Sequence, residues 1–298
     1  MSAKPSSVQI PPSSEGVNWK ALGYMVLCTS SFTAMNSILK YMEHLPALEL
    51  VFFRAITSCL ICFAFLWAKG IPVLGKKRGL LIARGLFGVT SMATFFLALQ
   101  EMPFGSTISL RYLSPVFAAI IAVFYLKEQI KPIQWLFFAI AFGGVLLLKG
   151  FDLRISSLGL GYIFISALFS GVVYVLIRKI GQSEHPLVIV NYFMFIASLT
   201  GLIFAIPIWV WPQGQEWLIL STIGVFGFIG QFFMTKAFQI EKTSKVAPMK
   251  YMEAIFALLV GWLWLGETYN YLAFLGIICI LAGMLLNVFF KGIKTASR

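Results

Sequence analysis

Arg111-Tyr112 lies inside one long apolar segment of the chain, and Lys250-Tyr251 lies inside another, 139 residues later. A cation in the middle of a membrane helix costs on the order of 2.5–3.5 kcal/mol on insertion scales. Two of them at equivalent places point to a paired central site. Its chemistry would be the capture of an anion, a carboxylate or a phosphate. At ~1.5 Å per residue each cation sits roughly 8–10 Å below its interface, too deep for water except by snorkelling of the long side chain. The other reading is structural, because Lys250 and Glu253 have the (i, i+3) spacing of a helical ion pair. Both can hold if Glu253 keeps Lys250 until a substrate displaces it.

Glu253 is the acid set well inside an apolar run. It is the candidate for coupling to a proton or cation, or for pairing with a cationic substrate group; a static pair with Lys250 is the alternative. Tyr112, Tyr251 and Tyr174 offer hydroxyls beside aromatic faces. Asn36 belongs to a first segment that is polar in its middle, with Thr29, Ser30, Ser31 and Thr33. Such residues line cavities or bond neighbouring helices. Ser114 completes the expected substrate-binding set of Arg111, Lys250, Tyr112, Tyr251, Glu253, Asn36, Tyr174 and Ser114. Gln100 and Gln231 are weaker candidates. Arg84 and Lys236, near the ends of their segments, read as snorkelling side chains. Arg54 reads as structural, with Glu49 in its neighbourhood.

These residues need elements that hold them in lipid. The chain is 59% hydrophobic and 11% charged, where a soluble domain carries about 25% charged residues. Ten apolar segments run roughly over 19–41, 48–68, 79–100, 105–126, 133–149, 158–180, 187–209, 217–239, 246–265 and 271–290. Most approach the ~20 residues of a spanning helix. A β-barrel would instead show ~10-residue alternating segments. The expected fold is an all-α polytopic membrane protein with ten transmembrane helices. The net charge of +12 follows topology rather than nucleic acid. With the N-terminus inside, Lys69, Lys76, Lys77, Arg78 and the C-terminal Lys291, Lys294 and Arg298 fall inside, against Lys40, Lys149 and Arg154 outside. That asymmetry puts both termini in the cytoplasm. Residues 1–17, rich in Ser and Pro, read as a disordered cytoplasmic tail, and 291–298 as a second tail.

A gap-free shift of 139 superposes Gly85, Phe87 and Gly88 on Gly224, Phe226 and Gly227. It also superposes Gln100 on Gln239, Tyr112 on Tyr251 and Glu128 on Glu267. Lys40 meets Arg178 at a shift of 138. The unit is five helices, over 18–150 and again over 157–290. An odd number of spans per unit forces the copies into opposite orientations. Inverted repeats of this kind bind substrate at midplane between the halves.

The stretch Ala98 to Glu128, "ALQEMPFGSTISLRYLSPVFAAIIAVFYLKE", resembles the third and fourth helices of EamA-type carriers of the drug/metabolite transporter superfamily. So does Ala237 to Glu267, "AFQIEKTSKVAPMKYMEAIFALLVGWLWLGE". The mark is a small-residue helix closed by Leu-x-Glu, here Leu126-Lys127-Glu128 and Leu265-Gly266-Glu267. "LELVFFRAITS" is similar to the family's second helix, with Arg54 at its Arg. The second repeat departs from the pattern: Asn191-Tyr192 stands where a comparable Arg would sit, and Ala254 stands where the first repeat has Pro115. The resemblance implies a membrane carrier and leaves its cargo open.

The expected function is a secondary transporter that moves a small anionic or zwitterionic metabolite across the plasma membrane, a bacterial inner membrane, by alternating access. The alternative is an exporter of amphipathic drugs or amino acids, with the chain's 29 Phe as its walls. An enzyme is disfavoured. His44 and His185 fall in loops, and the single Asp152 excludes an aspartyl dyad. No metal-ligand spacing and no phosphate loop is present. No cofactor and no nucleic-acid partner is expected. Cys28, Cys59, Cys62 and Cys279 read as packing residues.

Overall fold

The computed structural model describes residues 18–126, 132–151, 154–241, 246, 249–250, 252–268 and 270–289. Tyr251 and Glu128 lie outside the described residues, as do the two tails. All regular structure among the described residues is helical. The first half holds α1 (Trp19–Tyr41), α2 (Ala47–Ala68), α3 (Arg78–Glu101), α4 (Phe104–Arg111), α5 (Ser114–Leu126) and α6 (Pro132–Phe151). The second holds α7 (Ser157–Ile180), α8 (Pro186–Ala205), α9 (Glu216–Ile240), α10 (Met252–Leu263) and α11 (Tyr271–Phe289). Six of these helices are long and apolar enough to cross a membrane: α1, α2, α3, α7, α8 and α9.

Helix starts follow local chemistry. The Asn18 side chain accepts from Ala21 N–H at 3.2 Å to open α1, and Ser156 Oγ accepts from Gly159 N–H at 2.8 Å to open α7. His185 Nδ1 accepts from Leu187 N–H at 3.2 Å, with Pro186 at the first position of α8. Partial burial, then the charges of Lys69 and Lys236, push the pKa of His185 below its ordinary value. The imidazole is thereby held in the neutral form that this cap needs.

The fourth segment was expected as one helix over 105–126, and the structure corrects this to two. Helix α4 stops at Arg111 and α5 begins at Ser114. The reason is Pro115. It has no N–H to give to the carbonyl of Arg111, and it disfavours helical backbone at Ser114 before it. The chain tightens instead through Tyr112 N–H to Ser109 O at 3.2 Å and Leu113 N–H to Leu110 O at 3.1 Å. The ninth segment, expected over 246–265, is described as helix only over Met252–Leu263. Met249 and Lys250 form a tight turn just ahead of it.

Large apolar side chains such as Leu60, Phe63, Phe195, Leu199 and Leu218 face outward. Within an otherwise apolar core, Asn36, Arg54, Arg84, Ser106, Thr107 and Ser166 are buried. The outer surface suits lipid, and the polar groups are kept inside.

The halves hold each other in pairs that exchange. Helix α2 packs on α8 and α6 on α11. Helix α3 packs on α7, and α1 packs on α9. Swapping the halves turns the third contact into the fourth and returns the first two to themselves. A Cβ on Gly227 would stand 2.9 Å from Arg54 Nε, and one on Gly88 would stand 2.8 Å from a Phe193 ring carbon. Each glycine, and each of its neighbours, is 139 residues from its counterpart. A side chain at either position would force its neighbour to shift, and glycine there lets the central helices approach.

The polar ties repeat as well. Gln100 Nε2 donates to the carbonyls of Glu43 and Leu45 at 3.2 and 2.7 Å. Gln239 Nε2 donates to those of Gly181 and Glu184 at 2.7 and 2.9 Å. Lys40 Nζ reaches Met102 O at 3.4 Å, and Arg178 Nη1 reaches Glu241 O at 3.3 Å. Each half thus pins its first helical connection to the end of its third long helix. Between the halves, Lys77 N–H donates to Glu184 Oε1 at 2.5 Å. The counterpart is a pair of side chains, His44 Nε2 and Glu216 Oε1 at 2.8 Å. Glu267 accepts from the backbone N–H groups of Phe104 and Gly105, the latter at 3.1 Å. The acid of the Leu-x-Glu closure therefore caps the N-terminus of α4, where a carboxylate opposes the helix dipole.

Candidate functional site

Where the halves meet, a cavity of about 40 Å³ is lined from every long central helix. Helix α1 gives Phe32 and Met35. Helix α2 gives Arg54. Helix α3 gives Arg84, Gly88, Ser91, Met92, Phe95 and Phe96. Arg111 enters from the end of α4. Helices α7, α8 and α9 give Ser170, Val173, Tyr174, Phe193, Gln231 and Met234, and Lys250 closes the ring. A second space of about 10 Å³ adjoins it, bounded by Ile108, Arg111, Tyr112, Ser114, Tyr174, Lys250 and Glu253. At roughly 10–15 Å³ per water the larger space holds a few waters. Small-molecule sites are usually ~300–1,000 Å³. The halves are therefore closed down around this centre.

The expected site residues divide as follows. Arg111, Lys250 and Tyr174 border both spaces, and Tyr112, Ser114 and Glu253 border the smaller one. Asn36 stands behind them: its Nδ2 donates to Glu253 Oε1 at 2.9 Å. Lys250 Nζ lies 4.0 Å from Glu253 Oε2 and 3.4 Å from the Tyr174 hydroxyl. Glu253 thus ties α1 of one half to the cation of the other. Lys250 and Glu253 are 5% and 3% exposed, so this pair sits out of bulk solvent.

Two cations join the centre that sequence reasoning placed elsewhere. Arg84 was expected to snorkel outward; it is 1% exposed and its guanidinium stacks 4.1 Å from the Phe193 ring centroid. Arg54 was expected to be structural and near Glu49. Glu49 instead accepts from Val210 N–H at 3.0 Å, while Arg54 Nη1 turns inward to Met92 Sδ. The signal for Arg84 was Gly88, one turn further along α3. A Cβ at Gly88 would run into the Arg84 guanidinium. Gln231 also borders the cavity, whereas Gln100 is occupied with the loop after α1 and stands away from it.

The electrostatics are lopsided. Arg54, Arg84, Arg111 and Lys250 meet one carboxylate, Glu253, around the two spaces. Aromatic faces carry part of the load. Arg111 lies 3.8 Å from the Phe95 centroid, and Phe32 lies 5.9 Å from Arg54 Cζ and 5.2 Å from Lys250 Nζ. Cation–π contacts of this kind are worth about 0.5–2 kcal/mol each, less than the desolvation of a buried ion. Among the described residues, Nε of Arg54, Nε and Nη1 of Arg84, and Nε of Arg111 have no hydrogen-bond acceptor. The described lining of the two spaces thus carries an excess of positive charge. Among the described residues no group of His, Cys, Asp and Glu could hold a metal ion.

A shell of membrane-length helices, two exchangeable halves and a polar centre between them define a polytopic membrane transporter. The EamA-like transporter family matches twice, over residues 19–149 and 157–289, and the chain belongs to that family. It is 29% identical over 254 residues to the pseudopaline exporter CntI of Pseudomonas aeruginosa, covering 84% of this chain and 89% of that protein. It is 29% identical over 283 residues to human solute carrier family 35 member G1, covering 88% and 76%. It is 25% identical over 246 residues to the S-adenosylmethionine uptake transporter of Rickettsia felis, covering 81% and 83%. A solved crystal structure superposes with a TM-score of 0.66 at 17% identity, over 90% of this chain and 96% of that one, and shares the fold.

Proposed function

We propose that this chain is a secondary transporter that moves a small anionic or zwitterionic metabolite across the plasma membrane by alternating access. The observation that carries the proposal is the charge at the centre, four cations around one cavity against the single carboxylate of Glu253. Ten spans in two five-helix repeats of opposite orientation belong to the same proposal, with both termini cytoplasmic in a bacterial inner membrane. The exchangeable contacts between the halves support it, since two states related by swapping their roles are what alternating access needs. In a zwitterion, the acidic group meets Arg111 and Lys250 and an amino group meets Glu253. The relatives' names include both an exporter and an uptake transporter, so the proposal names no direction.

A second reading, an exporter of amphipathic compounds or amino acids, draws on the aromatic walls of Phe32, Phe95, Phe96 and Phe193. A melting screen of the purified protein against compounds sorted by charge separates the first reading from an exporter of amphipathic drugs. A ligand at 100 times its Kd stabilises the folded state by about 2.7 kcal/mol. We expect anionic and zwitterionic compounds to raise the melting temperature. Stabilisation confined to neutral or cationic amphipaths would overturn the anion reading in favour of the second.

A further inference from the structure

The four central cations form two groups. Arg111 and Lys250 are one, tied to Glu253 through Lys250. Arg54 and Arg84 are the other, on α2 and α3 of the first half. The second group has its own construction. Gly227 leaves room for Arg54, whose Nε a Cβ there would crowd to 2.9 Å. Gly88, the counterpart of Gly227, leaves room for the Arg84 guanidinium. In space Phe193 stands to Gly88 as Arg54 stands to Gly227, one residue past the Asn191-Tyr192 that the sequence pattern sets against Arg54, and it carries Arg84 stacked on its face at 4.1 Å. Each guanidinium therefore stands beside one glycine, Arg54 beside Gly227 of the second half and Arg84 beside Gly88 of the first, although both arginines belong to the first half.

Both guanidiniums are buried, at 4% and 1% exposure. Arg54 Nε and Arg84 Nε and Nη1 find no acceptor among the described residues. A buried charged donor without an acceptor is among the more expensive features a fold can keep. Glu253 is committed to Asn36 and Lys250, so it does not answer this pair. The two groups are also close. Both neighbour one ring, Phe32, at 5.9 Å from Arg54 Cζ and 5.2 Å from Lys250 Nζ.

We propose that Arg54 and Arg84 form a second anion subsite, so that the cargo is a compound with at least two carboxylates on a short carbon skeleton. One carboxylate is received by Arg111 and Lys250 and the other by the guanidinium pair, with the hydrocarbon between them against Phe32. This inference rests on the transport of an anionic metabolite proposed above and narrows it.

The test is a ladder of butyrate, succinate and tricarballylate. Binding to purified full-length protein is read by melting shift and calorimetry. Wild type should bind succinate at least about tenfold more tightly than butyrate, the gain expected of one further charge-assisted contact. Arg54→Gln and Arg84→Gln should bring the succinate-to-butyrate ratio towards one, and Arg84→Lys should restore part of it. Gly88→Ala, which displaces the Arg84 guanidinium and removes no charge, should lower the ratio too. Equal affinity for butyrate and succinate in wild type overturns the second subsite and leaves the anion reading standing. Absence of binding by all three, with neutral or cationic compounds binding instead, removes the anion reading itself. The wild-type ladder decides the matter even where a variant fails to fold.

Discussion

Arg111→Gln and Lys250→Gln should each abolish transport while expression and melting temperature stay close to wild type. Both side chains border the central cavity, and each replacement keeps the approximate length of the stem while removing the charge. Losing one member of a desolvated ion pair with the cargo costs roughly 3–5 kcal/mol. That is a fall in affinity on the order of a hundredfold or more. The cost to the fold should be smaller, because Arg111 Nε has no protein acceptor among the described residues and its main contact is the Phe95 ring. For Lys250 the balance is closer, since Glu253 at 4.0 Å loses its cation. The measurement is initial uptake into liposomes, with melting curves of the same preparations. A variant that melts early but keeps its specific transport would show the charge to be structural.

Glu253→Gln is the second large effect, and it should separate two properties. Uptake driven by a proton gradient should fall to background, while cargo-for-cargo exchange across liposomes continues. The reason lies in two contacts. Glu253 accepts from Asn36 at 2.9 Å and stands 4.0 Å from Lys250, on a helix that starts beside that lysine. Glutamine retains an acceptor for Asn36 but carries neither proton nor charge. If opening the cavity parts Glu253 from Lys250, the carboxylate is left without its neighbouring cation. Wild-type uptake that ignores a proton gradient would remove the coupling role and leave Glu253 as the clamp on Lys250.

Much of this architecture was legible in the residues. Long apolar runs between basic loops become helices because lipid leaves backbone polar groups no other partner. The shift of 139 correctly paired Gln100 with Gln239, yet it gave no clue that both fasten loops. A glutamine in an apolar helix reads equally well as lining or as latch until its acceptors are known. The break after Arg111 was written in Ser114-Pro115, but the apolar pattern runs straight through it. Arg84 was misplaced for a different reason. Counting residues from the end of α3 measures depth along one helix, whereas the inward turn of its side chain depends on Gly88 and on Phe193 of another helix. Arg111 and Lys250 keep their register between the halves, whereas Arg54 and Arg84 both belong to the first half, so a gap-free alignment shows the first pair and not the second.

The matched ties Lys77–Glu184 and His44–Glu216 have a consequence for where the protein rests. One is a carboxylate on a backbone N–H, with Glu184 only 6% exposed. The other joins His44 and Glu216, with side chains 52% and 25% exposed. A solvent-exposed pair holds much less firmly than a sheltered charge-assisted hydrogen bond. If these are the fastenings that alternating access releases in turn, the mirror plan is mechanically unequal. The unloaded carrier would then wait with its His44 end ajar, a bias that spin-label distances across each end would read directly.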